Sequence, residues 1–147
     1  MRPVPIGISR RQSFDPSPQD SAAALGNVGV EVVSTVTLVL WVEATCGPLL
    51  VPYFEAGEGG VGTRVALDHV GPAYAGRPVE VFAETAGVEG RRVTFRVRVE
   101  QDGRAVMTGE HVRAIVDLER LLAGQAAPRD RRVLAPVTFW FDVHSPW

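Results

Sequence analysis

Between Val32 and Phe54 the chain carries a single charged side chain, Glu43. The run Val36-Thr37-Leu38-Val39-Leu40-Trp41-Val42 leads into it, and Ala44-Thr45-Cys46-Gly47-Pro48-Leu49-Leu50-Val51-Pro52 follows. A stretch this apolar at helical length belongs inside a fold, because a helix that is apolar all round is usually buried. A carboxylate buried there without a partner costs several kcal/mol or has its pKa forced upward. Glu43 therefore either escapes at an edge or is held in place for a task, and the second reading is favoured.

The neighbouring segments say what such a helix packs against. Ser34 or Thr35 is the expected N-cap of a helix over residues 36–50, with Gly47-Pro48 weakening its C-terminal half. Upstream, residues 3–15 read as extended, the Pro16–Pro18 cluster as a turn, and Ala22–Leu25 as a short helical piece closed by Gly26-Asn27. Downstream of Gly57-Glu58-Gly59-Gly60, everything to residue 116 reads as sheet: Gly62–Val70, Pro78–Ala86, Arg92–Gln101 and Arg104–Val116. In the third of these, Val93, Phe95, Val97 and Val99 alternate with Thr94, Arg96, Arg98 and Glu100, the period of a strand with one buried and one wet face. Asp102-Gly103 is a two-residue hairpin signal. Asp117–Ala123 reads as a short amphipathic helix and Gly124–Arg132 as an exposed linker. One strand, one apolar helix and then an antiparallel meander make an α+β arrangement, the hot-dog fold, in which the sheet wraps around a long central helix.

Composition removes several classes of function. With 147 residues, 46% of them hydrophobic, the chain has material for one ordinary core. A net charge of −2 lacks the basic excess of a nucleic-acid binder. All 15 basic residues are arginine, which reads as a codon bias. The lone Cys46 excludes an intrachain disulfide and a cysteine-rich metal site, and its apolar setting suits a small buried thiol. Met-Arg-Pro-Val-Pro has no apolar core of a signal peptide. The run over 36–52 is interrupted by Glu43, Gly47 and Pro48, and falls short of the ~20 apolar residues of a membrane span. A soluble cytoplasmic protein is expected, with residues 1–124 as the domain and 125–147 as linker and aromatic tail.

A set of short motifs, in order, carries a resemblance. They are Ser34-Thr35 followed by Glu43, Pro52-Tyr53-Phe54-Glu55-Ala56-Gly57-Glu58-Gly59, Val61-Gly62-Thr63, His69, Val88-Glu89-Gly90-Arg91-Arg92 and Gly109-Glu110-His111-Val112-Arg113. Together they resemble the fluoroacetyl-CoA thioesterase group of hot-dog thioesterases. The resemblance implies a catalytic set of threonine, glutamate and histidine, falling here on Thr35, Glu43 and His69. It also implies an acyl-CoA or related thioester as substrate, and a homodimer with sites at the subunit interface. The family's glycine before the histidine strand falls on Gly62 and its late His-x-Arg on His111 and Arg113; Gly62 and Arg113 are the expected substrate contacts. No metal or redox cofactor is implied, and no nucleic-acid or membrane partner.

Elementary chemistry agrees with those roles. Thioester hydrolysis needs a nucleophile, a proton carrier and donors for a developing oxyanion. A desolvated Glu43 suits activation of water or direct attack. His69 follows Val65 and Leu67 at period two, so it shares their face and, on the inner side, meets the helix and orients Glu43. Free N–H groups at the helix N-terminus near Thr35 suit an oxyanion. Eight helical residues rise ~12 Å, so Thr35 and Glu43 do not touch along a straight helix. Either the chain folds back near residue 35 or two subunits share a site. His111 and Arg113, alternating with Val112, read as solvated or pairing residues, and Arg91-Arg92 as a solvated turn suited to a CoA diphosphate.

The alternatives are a non-catalytic hot-dog module that binds an acyl-CoA and a hot-dog hydratase or dehydratase. The tail from Ala135 to Trp147 resembles the opening strand of the thioredoxin-like 2-hydroxychromene-2-carboxylate isomerases. Only that short stretch matches, and no isomerase activity follows from it.

Overall fold

The apolar run forms the expected helix. A computed structural model of the protein describes residues 1–126, and in it Thr35–Leu50 is a helix, α1. Ser34, in extended conformation, caps it by accepting the Thr37 N–H at 3.1 Å. Pro48 lies in the last turn, where the carbonyl it leaves without a donor belongs to exposed Ala44 and is open to water. The chain then tightens into a 3-10 turn over Val51–Tyr53.

Only one side of α1 is buried. Leu38, Trp41, Val42, Thr45, Cys46 and Leu50 point into the core, and the Thr45 hydroxyl is satisfied by the Trp41 carbonyl at 2.8 Å. The opposite stripe is apolar yet exposed: Val36 at 69%, Leu40 at 61%, then Ala44 and Pro48. The expectation of burial on all sides thus fails, because the sheet reaches half of the helix and, among the described residues, no second layer covers the rest. The expected shortfall against a membrane span fails too, since Thr35–Tyr53 is long and apolar enough by length and composition. In this fold the helix is instead packed against all five strands.

The strands are β1 (Ser9–Phe14), β2 (Glu58–His69), β3 (Val79–Glu89), β4 (Arg92–Gln101) and β5 (Arg104–Asp117). They form one antiparallel sheet in the order β1-β3-β4-β5-β2. The meander therefore holds for β3, β4 and β5, whereas β2 lies beyond β5 and not beside β3. A long connection through Gly71-Pro72 replaces a tight turn there, with Val70 and Gly71 N–H both given to the Val106 carbonyl. The β4 alternation is as expected, with Val93, Phe95, Val97 and Val99 all buried. Asp102 and Gly103 both have positive φ, 51° and 74°, as a type I′ hairpin turn requires. Phe14 of β1 stacks on Trp41 of α1 with ring centroids 5.0 Å apart. A final helix, α2, spans Leu118–Ala126 and runs through Gly124, where a linker is expected from sequence. The aromatic tail over 135–147 lies outside the described residues.

Candidate active site

Thr35 and His69 meet. Thr35 is the first residue of α1 and His69 the last of β2, and Thr35 Oγ1 lies 2.8 Å from His69 Nδ1. The period-two expectation holds: Leu67, two residues before His69, packs on the core, and the imidazole faces the helix. Both residues are exposed in the single chain. Ser34 takes up the Thr37 N–H, and the Ser34 carbonyl accepts from Leu38. The N–H groups of Thr35 and Val36 therefore sit at the open end of the helix.

Glu43 is elsewhere. Thr35 is already helical, so the chain does not fold back, and the two residues stand two turns apart along α1. No ion pair joins Glu43 to His69 among the described residues; its neighbours are His111 and Arg113. Glu43 Oε1 lies 3.7 Å from His111 Nε2 and 3.9 Å from Arg113 Nη1. Nor is the carboxylate held out of water in one chain, because its side chain is 42% exposed. It stands on the border between the buried and exposed faces of α1, and so occupies the edge that a charged side chain seeks.

Gly62 and Arg113 are opposite one another in the β2–β5 register, and both lie against Glu43. A side chain on Gly62 would run into the Glu43 carboxylate and come within 3.2 Å of His111 Cε1. Arg113 is mostly buried, lies along Gly47 one helical turn beyond Glu43, and donates through Nη2 to the Gly60 carbonyl at 3.4 Å. Its buried Nε has no hydrogen-bond partner among the described residues.

Of the two readings of His111, solvated or pairing, the structure bears out the second, for the residue is fully buried and lies against Glu43 and Arg113. Its Nδ1 faces the Arg64 carbonyl at 3.0 Å. A carbonyl only accepts, so Nδ1 carries the proton and Nε2 presents a lone pair to Arg113 Nη1 at 3.3 Å. Burial, and secondarily the Arg113 charge, push the His111 pKa below the usual histidine value; the Arg64 carbonyl and Glu43 oppose this. Both the burial and the Arg113 contact favour the neutral ring.

Cys46 is fully buried, and burial pushes its thiol up to about 12, as a structural thiol requires. Arg91 is tied down, donating to Glu58 at 2.7 Å and to the Ile115 carbonyl at 3.2 Å. A surface groove lined by Glu89, Arg92, Asp117 and Arg120 lies at the end of β5 remote from Met107, the register partner of His69.

A five-stranded antiparallel sheet curled around one long helix, with a hydroxyl–imidazole pair at its start and a carboxylate on the same helix, defines a hot-dog protein of thioesterase type. Residues 17–119 match the model of the fluoroacetyl-CoA-specific thioesterase family, and the chain belongs to that family. The fluoroacetyl-CoA thioesterase of Streptantibioticus cattleyicolor is 37% identical over 93 residues, covering 63% of this chain and 67% of that protein. Among solved structures, a mutant of the fluoroacetyl-CoA-specific thioesterase FlK in complex with fluoroacetate and CoA superposes with a TM-score of 0.75. It is 30% identical, with 80% of this chain and 98% of that one covered. A thioesterase superfamily member from Thermus thermophilus gives a TM-score of 0.79 at 28% identity, over 86% of this chain and 93% of that one.

Proposed function

We propose that this protein is an acyl-CoA thioesterase that hydrolyses a small or short-chain acyl thioester. It works as a cytoplasmic homodimer, with Thr35 and His69 of one subunit facing Glu43 of the partner subunit. The observation that carries the reading is the 2.8 Å contact between Thr35 Oγ1 and His69 Nδ1 at the open end of α1. It gives a thioester carbonyl a hydroxyl, an imidazole and free N–H groups in one place. Among the described residues no carboxylate pairs with that imidazole, and Glu43, half-exposed and two turns away, is available to a second copy.

Support for the dimer comes from what one chain leaves uncovered. Among the described residues β2 is an edge strand, paired with β5 alone, and an open edge invites a second strand. Beside it stand exposed Val36, Leu40 and Val65. A twofold axis through the middle of β2, near Val65, would set His69 against the partner strand near its own Gly62, where Glu43 lies. The same pairing would cover the apolar stripe of α1.

In the reaction, the Glu43 carboxylate takes a proton from water as that water attacks the carbonyl, or attacks the carbonyl itself to form a mixed anhydride that water then cleaves, restoring the carboxylate. The new C–O bond places charge on the carbonyl oxygen, met by the helix N–H groups and the Thr35 hydroxyl. The C–S bond then breaks, and the proton taken from the water reaches the CoA thiolate, from the acid formed at Glu43 or relayed by the imidazole of His69. The test is turnover of a panel of acetyl-, propionyl-, butyryl- and fluoroacetyl-CoA with detection of free thiol. Release of CoA from a short member, lost in Glu43→Ala by a factor of about 10² or more, supports the proposal. Binding of the esters without thiol release, unchanged in Glu43→Gln, overturns it in favour of a binding module.

A further inference from the structure

We propose that His111 is a positioning residue for Glu43, acting through Arg113 as a neutral hydrogen-bond acceptor. The inference rests on the thioesterase reading of Glu43 and adds a residue to it. His111 does not reach the substrate side of the fold; it is fully buried beneath Glu43. What it offers upward is one lone pair. Its proton is committed to the Arg64 carbonyl at 3.0 Å, at the point where the β2–β5 register shifts between Gly62 and Arg64. Nε2 is thereby left to accept from Arg113 Nη1 at 3.3 Å.

That acceptor matters because Arg113 is otherwise poorly held. Its Nε is buried and has no partner among the described residues, and its bond to the Gly60 carbonyl is long. No carboxylate other than Glu43 lies within ion-pairing distance of it among the described residues. A guanidinium on a flexible stem is placed only by the groups that it bonds, and two of those are uncharged acceptors. His111 and the Gly60 carbonyl aim it, and Glu43 receives the charge. The charged and polar groups facing His111 are Glu43 from α1, Arg113 from β5 and the Arg64 carbonyl from β2. An imidazolium there would turn the acceptor into a second cation against Arg113 and release it.

Two substitutions separate this role from a merely structural one. In His111→Asn the amide nitrogen stands where Nδ1 stood, so the bond to the Arg64 carbonyl survives and the acceptor for Arg113 is lost. In His111→Gln the side-chain oxygen reaches the Nε2 position, so the acceptor survives and the strand bond is lost. The expected result in the dimeric enzyme is a fall of kcat by about tenfold or more in His111→Asn, with KM little changed, and recovery of most of it in His111→Gln; a lost tenfold corresponds to one hydrogen bond to a charged group. The reverse order, with glutamine the worse variant, overturns the proposal and leaves His111 as a strand fastener. A readout independent of activity covers the case in which either variant fails to fold. Imidazole 15N shifts of the wild-type protein at neutral pH should show a neutral ring protonated at Nδ1. A ring protonated at Nε2, or at both nitrogens, overturns it. An enzyme inactive on every thioester with the Nδ1–H form present would fault the thioesterase reading and not the hydrogen bonding.

Discussion

Gly62 and Glu43 stand so close that a single methyl group would not fit between them. A Cβ built on Gly62 falls inside van der Waals contact of the Glu43 carboxylate, and 3.2 Å from His111 Cε1. Gly62 does not have the positive φ that would itself demand glycine, so the residue is a clearance and not a hinge. Gly62→Ala should leave the melting temperature within a few degrees of wild type, because the flexible end of Glu43 can swing away. Its kcat on a short acyl-CoA should nevertheless fall by about tenfold or more, since a displacement of an ångström at a catalytic group is costly. Activity preserved in Gly62→Ala would show that the position of the Glu43 carboxylate does not matter.

The Thr35–His69 contact leads to a second expectation. Thr35→Val keeps the shape of the side chain and the helix start, because Ser34 and not Thr35 supplies the cap. It removes only the hydroxyl bonded to His69. The loss of that hydrogen bond should lower kcat/KM by about tenfold, the worth of ~1–1.5 kcal/mol, with Thr35→Ser close to wild type. Steady-state kinetics on the three proteins decide it; equal rates in threonine, serine and valine enzymes would leave Thr35 as a bystander.

Parts of this fold are legible in the sequence and parts are not, and particular residues show why. The β4 strand and its turn are, because Val93 to Val99 alternate without a break and Asp102-Gly103 has one common use. The helix start is, through Ser34. The place of β2 is not: alternation states that a strand has two faces and says nothing about which strand lies beside it. The exposure of Val36 and Leu40 is not, since an apolar face reads alike whether a sheet or a second subunit covers it.

The burial of His111 has a cause that can be counted along the strand. From a two-residue turn at Asp102-Gly103, Gln101 opposes Arg104 and Glu100 opposes Ala105. Continued without interruption, that register would set His111 opposite Thr94, on the outer face. The register instead slips by one between Val99 and Glu100, so that Phe95 opposes His111 and both point inward. A single bulge moves every later side chain of a strand to the other face. It is what delivers His111 and Arg113 beneath Glu43.

The buried imidazole should also mark the pH dependence of stability. Its folded pKa is lowered, so below the ordinary histidine value the unfolded chain binds a proton that the folded one resists. Stability contributed by His111 is therefore full at neutral pH and is lost as pH falls below about 6.5. Thermal melts of the wild type from pH 7.5 to 5.5 should show a falling Tm over the acid part of that range. The slope should be shallower in His111→Gln, which has nothing to protonate. Parallel curves would mean that the ring gains its proton as readily folded as unfolded.

Cys46 gives a simple check on the core. A thiol pushed up to about 12 by burial has almost no thiolate at neutral pH, and the thiolate is the reactive form. The folded protein should react negligibly with a disulfide reagent over the time of an assay, and release one equivalent per chain in denaturant. Rapid labelling in buffer would place Cys46 at the surface and α1 in a different rotation.

The division of the site between subunits makes the last prediction a quantitative one. If Thr35 and His69 work with Glu43 of the partner subunit, a Thr35→Val chain and a Glu43→Gln chain are each defective at both sites of their own dimers. A mixed dimer has one site that carries both lesions and one that carries neither. Random exchange of equal amounts puts about half the chains in mixed dimers, each with one intact site of two, so activity should recover to about a quarter of wild type beyond the residual rates of the parents. If all three residues serve within one chain, every site of the mixture carries one lesion and no recovery occurs. Leu40→Glu supplies the matching control at the stripe that the partner would cover. It should yield a folded monomer by light scattering, with no measurable turnover, because an isolated chain leaves Glu43 two helical turns from the hydroxyl and imidazole that it is to serve.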